Sequence, residues 1–105
     1  MSFNLNNTYP KPAIYRNSPV IDQRLAVGAS VVQFSAFNEL TTMVLLDIQD
    51  ADVMCTLDGS TPSATNGHRL YSTRMYTWST AMAAAAKFIQ QGAGTAAIHA
   101  SELQM

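Results

Sequence analysis

Charge is scarce in this sequence and cysteine is nearly absent. Only 12% of the 105 residues are charged, about half the usual share, although the hydrophobic fraction of 48% is ordinary to high. The shortfall falls on the surface, and an exterior short of charge suits burial against partners better than life as a free monomer. Six Lys and Arg against seven Asp and Glu leave a net charge of −1. The electrostatic footprint of a polyanion binder is therefore missing, and neither nucleic acid nor an anionic membrane surface is expected as a direct partner. Cys55 is the single cysteine, which excludes an intrachain disulfide and a cysteine metal cluster. Set in an apolar run, it reads as a small core residue and not as a reactive thiol. No apolar stretch approaches the roughly 18 residues of a membrane span. The first residues lack a basic segment followed by an apolar one, so the chain is expected to stay in a cytoplasm or in something assembled there.

What is present divides into an arm and a body. Residues 1–19 hold three of the four prolines, Pro10, Pro12 and Pro19, among Asn6, Asn7, Asn17 and Ser18. Proline fixes φ and pushes its predecessor to extended backbone, so the segment reads as an extended arm. It also carries Phe3, Leu5, Tyr9, Ile14 and Tyr15, which a solvated tail does not need. These residues either wrap over their own domain or dock on a neighbouring subunit, and the second use makes them candidate binding residues.

The body, 20–105, reads as short strands. Residues 25–37 are rich in β-branched and aromatic side chains, and Val32, Phe34 and Ala36 alternate with Gln33 and Ser35 as in a half-buried strand. Residues 41–48 form a short apolar run that fits a core strand. After a turn at Gln49-Asp50-Ala51-Asp52, residues 53–57 place Val53, Cys55 and Leu57 on one face. Asp58-Gly59-Ser60-Thr61-Pro62-Ser63 gathers turn formers, with Asp58 and Gly59 expected to supply a positive φ and Pro62 to stiffen the loop. Two short strands follow at 68–71 and 74–78, and a last one at 95–103. Between them, Met82, Ala85, Ala86 and Ile89 keep helical spacing, with Ser79 or Thr80 as cap and Gly92 as stop. A strand entering a hairpin at Gln91-Gly92-Ala93-Gly94 competes with this short helix. The sum is a mainly β chain: a small antiparallel β-sandwich or barrel with one short helix and an extended N-terminal arm. The apolar phase of the strands puts Val32, Phe34, Val44, Leu46, Val53, Cys55, Leu57 and Ile98 inward.

Chemistry has little to work with. His68 and His99 lie in different strands without a partnering acidic cluster, so no metal site is expected. Ser60 stands eight residues from His68, but its surroundings lack the second glycine of a nucleophile elbow. Gly92-Ala93-Gly94 lacks the lysine and following helix of a phosphate cradle. No catalytic residue, cofactor-binding residue or cofactor is assigned, and the chain is not expected to be an enzyme. Tyr76 and Trp78 share one strand face; such a pair binds sugar rings if exposed and serves the core if buried.

The segment from Asp52 to Leu70 resembles one that recurs in small virion proteins of tailed bacteriophages, where a strand ending in T-x-D-G-[ST]-x-P-[ST] precedes a G-H-x-L strand start. Here Thr56, Asp58, Gly59, Ser60, Pro62 and Ser63 fill the first part, and Gly67, His68 and Leu70 the second. The first part is also similar to a turn in the carboxy-terminal β-sandwich domain of chitobiases. The resemblance implies a structural virion subunit in many copies, located in the particle and assembled in the host cytoplasm. Its partners would be virion proteins, the major capsid protein first among them, together with copies of itself. A capsid decoration or cement protein is the expected place, by analogy. A neck or tail subunit and a carbohydrate-binding module are the alternatives.

Overall fold

The apolar run at 41–48 forms a strand, and its alternation decides which side faces in. Val44, Leu46 and Ile48 are fully buried, while the residues between them are half-buried. The computed structural model describes residues 21–104. In chain order these give β1 (Ile21–Val27), β2 (Met43–Gln49), β3 (Val53–Thr56), β4 (His68–Leu70), β5 (Met75–Ser79), α1 (Thr80–Ala85), β6 (Lys87–Gln90) and β7 (Ala96–Leu103). The arm, with Phe3, Leu5, Tyr9, Ile14 and Tyr15, lies outside the described residues.

Two antiparallel sheets result. The larger has the order β1-β7-β2-β5 and the smaller β4-β3-β6. Register aligns the inward sets: Leu25 faces Ile98, Ile98 faces Ile48, Ala100 faces Leu46, and Val44 faces Trp78. In the smaller sheet Val53 faces Leu70 and Cys55 faces Phe88. The buried faces share one core, which contains Val44, Leu46, Ile48 and Ile98 from one sheet and Val53, Cys55, Leu70 and Phe88 from the other. An aromatic contact bridges them, Trp78 stacking on Phe88 at 6.2 Å, and Phe34 from the loop after β1 meets Phe88 edge-on at 5.2 Å. This is the mainly β, two-sheet architecture that the strand pattern implies.

Of the residues expected inward, Val44, Leu46, Val53, Cys55 and Ile98 are completely buried, while Val32, Phe34 and Leu57 pack against the core from its margin. Three expectations need correction. Residues 32–36 are not a strand: β1 ends at Val27, and beyond it the contacts with β6 are isolated, the Gly28 carbonyl accepting the Gln90 N–H and Val32 exchanging two backbone bonds of 2.9 Å with Phe88. Further along, the side-chain amide of Gln23 satisfies the Ser35 backbone in place of a ladder partner, accepting from its N–H at 3.1 Å. The alternation of Val32 and Phe34 thus reflects a packed loop and not a strand.

The ambiguous stretch after Ser79 contains both competing structures. The Ser79 hydroxyl caps α1 by accepting the Met82 N–H, but the helix stops at Ala85 and the chain turns extended at Ala86. Phe88 is fully buried as the β3 neighbour on β6, and that packing converts the second half of the helical pattern into a strand. The buried helical residue is Ala83, not Met82 or Ala85, and Gly92 lies well past the helix end. Finally, the glycine turn at 91–94 is no hairpin, because β6 and β7 belong to different sheets and the segment crosses between them.

Candidate functional site

The motif loop between β3 and β4 is built by polar groups that bind one another. Thr56, the last residue of β3, sends its hydroxyl to the Ser60 carbonyl. Asp58 Oδ1 accepts from both the Ser60 N–H at 3.0 Å and the Ser60 hydroxyl at 2.6 Å, closing a tight turn. These two bonds hold the Asp58 carboxyl below the usual carboxylate range, with the charge of His68 a minor contribution. Gly59 sits inside that turn at φ 88, the positive value expected of the Asp58-Gly59 pair. Lys87 on β6 donates to the Gly59 carbonyl at 2.9 Å and ties the turn to the opposite edge of the sheet.

The second half of the loop is anchored as firmly. Pro62 is fully buried, Ser63 and Asn66 exchange backbone bonds of 3.0 and 3.3 Å, and the Asn66 amide donates to the Thr61 carbonyl at 2.9 Å. Gly67 then brings the chain against β3 at φ 130; a Cβ there would stand 2.5 Å from the Cys55 carbonyl oxygen. Its place in the motif is thus explained by close backbone approach, which spacing alone did not reveal. Thr56, Asn66 and Lys87 were likewise not legible as loop holders, because each acts through a contact that only the folded chain makes.

Between the two halves lies an open depression of about 340 Å³, lined by Thr56, Leu57, Asp58, Ser60, Asn66, Gly67 and His68. The Ser60 hydroxyl spends its proton on Asp58 and is not paired to His68, so the serine is held as a turn residue and not activated as a nucleophile. His68 starts β4, whereas His99 lies on β7 of the other sheet, 3.3 Å from Asp22. Among the described residues no three metal-ligating side chains converge. Cys55 is buried beneath this loop, and burial pushes its thiol up to about 11. Tyr76 and Trp78 turn inward opposite Leu46 and Val44, and the Tyr76 hydroxyl accepts the Tyr71 N–H at 3.0 Å. Neither ring forms an exposed platform for a sugar.

No family model, curated protein or solved structure matches the chain.

Proposed function

We propose that this chain is a non-enzymatic structural subunit of a tailed-bacteriophage virion, acting as a capsid decoration or cement protein. The observation that carries the reading is the nature of the motif segment. The stretch that resembles phage virion proteins is one coherent unit, a strand, a self-bonded loop and a second strand paired to the first from Val53↔Leu70 to Cys55↔His68. Its polar side chains are engaged in holding shape, as a scaffold requires. The low charge of the exterior supports the same reading, since it favours burial in an assembly. The arm at 1–19 supplies an attachment segment, its apolar residues Phe3, Leu5, Tyr9, Ile14 and Tyr15 docking on a neighbouring virion protein in the manner of strand addition.

The test is to add the purified chain to preformed shells lacking it and to analyse particles by mass spectrometry. Saturable binding at a fixed ratio to the major capsid protein is expected. Particles that contain the chain only at the neck or tail would replace decoration with that placement, and particles without it would overturn the proposal. A Trp78 fluorescence shift on adding oligosaccharides would favour the carbohydrate-binding alternative instead.

A further inference from the structure

Two exposed tips at opposite ends of the β2–β5 strand pair complement each other in charge and in apolar surface. The first is the turn between β4 and β5. Thr73 there holds φ 63, a left-handed value that a β-branched residue adopts only when its surroundings impose it. Four bonds impose it. The Thr73 N–H donates to the Ile48 carbonyl at 2.8 Å and the Ile48 N–H to the Arg74 carbonyl at 3.0 Å. The Ser72 N–H donates to Asp52 Oδ1 at 2.7 Å and the Tyr71 N–H to the Tyr76 hydroxyl at 3.0 Å. This rigid turn presents Tyr71, 47% exposed, and is followed by Met75, 59% exposed. The Arg69 and Arg74 guanidiniums lie 5.3 and 5.4 Å from the Tyr71 ring centroid. Arg69 is neutralised by Asp52 at 2.6 Å, whereas Arg74 meets no carboxylate among the described residues. Tyr, Arg and Met are the residue types enriched where protein interfaces are tightest.

The second tip precedes β2. Buried Glu102 holds it, its Oε1 accepting the Asn38 N–H at 2.8 Å and the Thr41 hydroxyl at 2.6 Å. The Asn38 side chain accepts the Leu40 N–H at 2.8 Å. What this tip presents is Leu40, 54% exposed, beside exposed Glu39, which makes no ion pair among the described residues. Thr41 and Thr42 are bonded to Thr80 just past the end of β5, while Ile48 is bonded to Thr73 and Arg74 just before its start. The tips are therefore separated by the length of the strand pair, roughly 20 Å at strand rise, and cannot meet within one copy.

We propose that the chain associates with itself head to tail, Glu39 and Leu40 of one copy docking on Arg74, Tyr71 and Met75 of the next. Glu39 supplies the counter-charge that Arg74 lacks among the described residues, and Leu40 covers the Tyr71 ring and the Met75 side chain. Both tips are already rigid, so docking forfeits little conformational freedom. A contact between two different surfaces closes into a ring when the rotation permits and otherwise runs on as a filament. The inference deepens the assembly reading above, but it is tested on the purified chain alone, so its failure is distinct from a failure to bind shells.

The experiment is sedimentation velocity and native mass spectrometry of the full-length chain at low salt. The unaltered chain is expected to form oligomers as its concentration rises. Glu39→Arg and Arg74→Glu, checked for folding by circular dichroism melts, each weaken association by about tenfold or more. Mixing the two variants restores it, because each junction between one variant and the other again joins opposite charges, so that the two associate in alternation. Leu40→Ser weakens association without altering charge. A chain that stays monomeric at high concentration, a single reversal that assembles as tightly as the unaltered chain, or variants that fail to rescue each other would overturn the proposal.

Discussion

Gly67 and Gly59 both have positive φ, yet they bear different constraints. A Cβ at Gly59 meets nothing within 4 Å, so the cost of Gly59→Val comes mainly from backbone strain and is expected to be about 1 kcal/mol. At Gly67 the added Cβ also runs into the Cys55 carbonyl, which belongs to the central strand of the smaller sheet and cannot swing aside. Gly67→Ala should therefore lower the urea midpoint more than Gly59→Val does, despite the smaller side chain. The reverse order would show that the loop yields at Gly67. Cys55 sets a limit in alkaline solution. Its folded thiol ionises near 11, against 9.0 for the free group, so between these values the unfolded chain sheds a proton that the folded chain keeps. Stability contributed by the neutral thiol is complete below pH 9 and declines as pH rises through 11, by an amount on the order of 2 kcal/mol. Chemical denaturation across this range should show a shallower decline for Cys55→Ala. Labelling by a thiol reagent at neutral pH should wait for unfolding.

At the scale of elements, the loop from 28 to 42 depends on the large sheet for the satisfaction of its backbone. Glu102 reaches from β7 to the Asn38 N–H and the Thr41 hydroxyl, and Gln23 reaches from β1 to Ser35. Glu102→Ala would strand the buried Thr41 hydroxyl and take the partner from the part-buried Asn38 N–H, and is expected to cost about 2 kcal/mol, whereas Glu102→Gln, which keeps an acceptor, should cost less. Thermal melts of the two variants check the order. These couplings explain why the loop has the pattern of a strand without being one: the alternation of Val32 and Phe34 is real, but a strand also needs a ladder, and the partner beyond Val32 is a side chain. The stretch after Ser79 follows the same rule. Serine capping and alanine content favour a helix locally, and it forms, but burying Phe88 beside Cys55 outweighs continuing it.

For the whole molecule, acid should act through surface carboxylates that are bonded in the fold. Backbone and arginine bonds lower Asp52, Ser101 and His99 lower Asp22, and the Ser60 bonds lower Asp58. A carboxyl depressed by folding stabilises above its unfolded value and loses that contribution as pH falls through the folded one, so the acid limb lies below the ordinary carboxylate range. Asp52→Asn should shorten that limb in pH-dependent melts. Deleting residues 1–19 tests the division into arm and body: cooperative unfolding should persist, while the shell binding proposed above should be lost. The β character, the central strands, the core phase at Val44, Leu46, Cys55 and Ile98, and the positive φ at Gly59 were determined by the sequence itself, because periodicity and turn chemistry act over a few neighbouring residues. Only the tertiary structure decided that residues 33–36 forgo pairing, that β6 replaces half a helix, that Thr73 turns left-handed, and that Glu102 and Gly67 are structural keys. Each of those depends on a partner distant in the chain, and a contact across 64 residues, as between Glu102 and Asn38, leaves no local pattern to read.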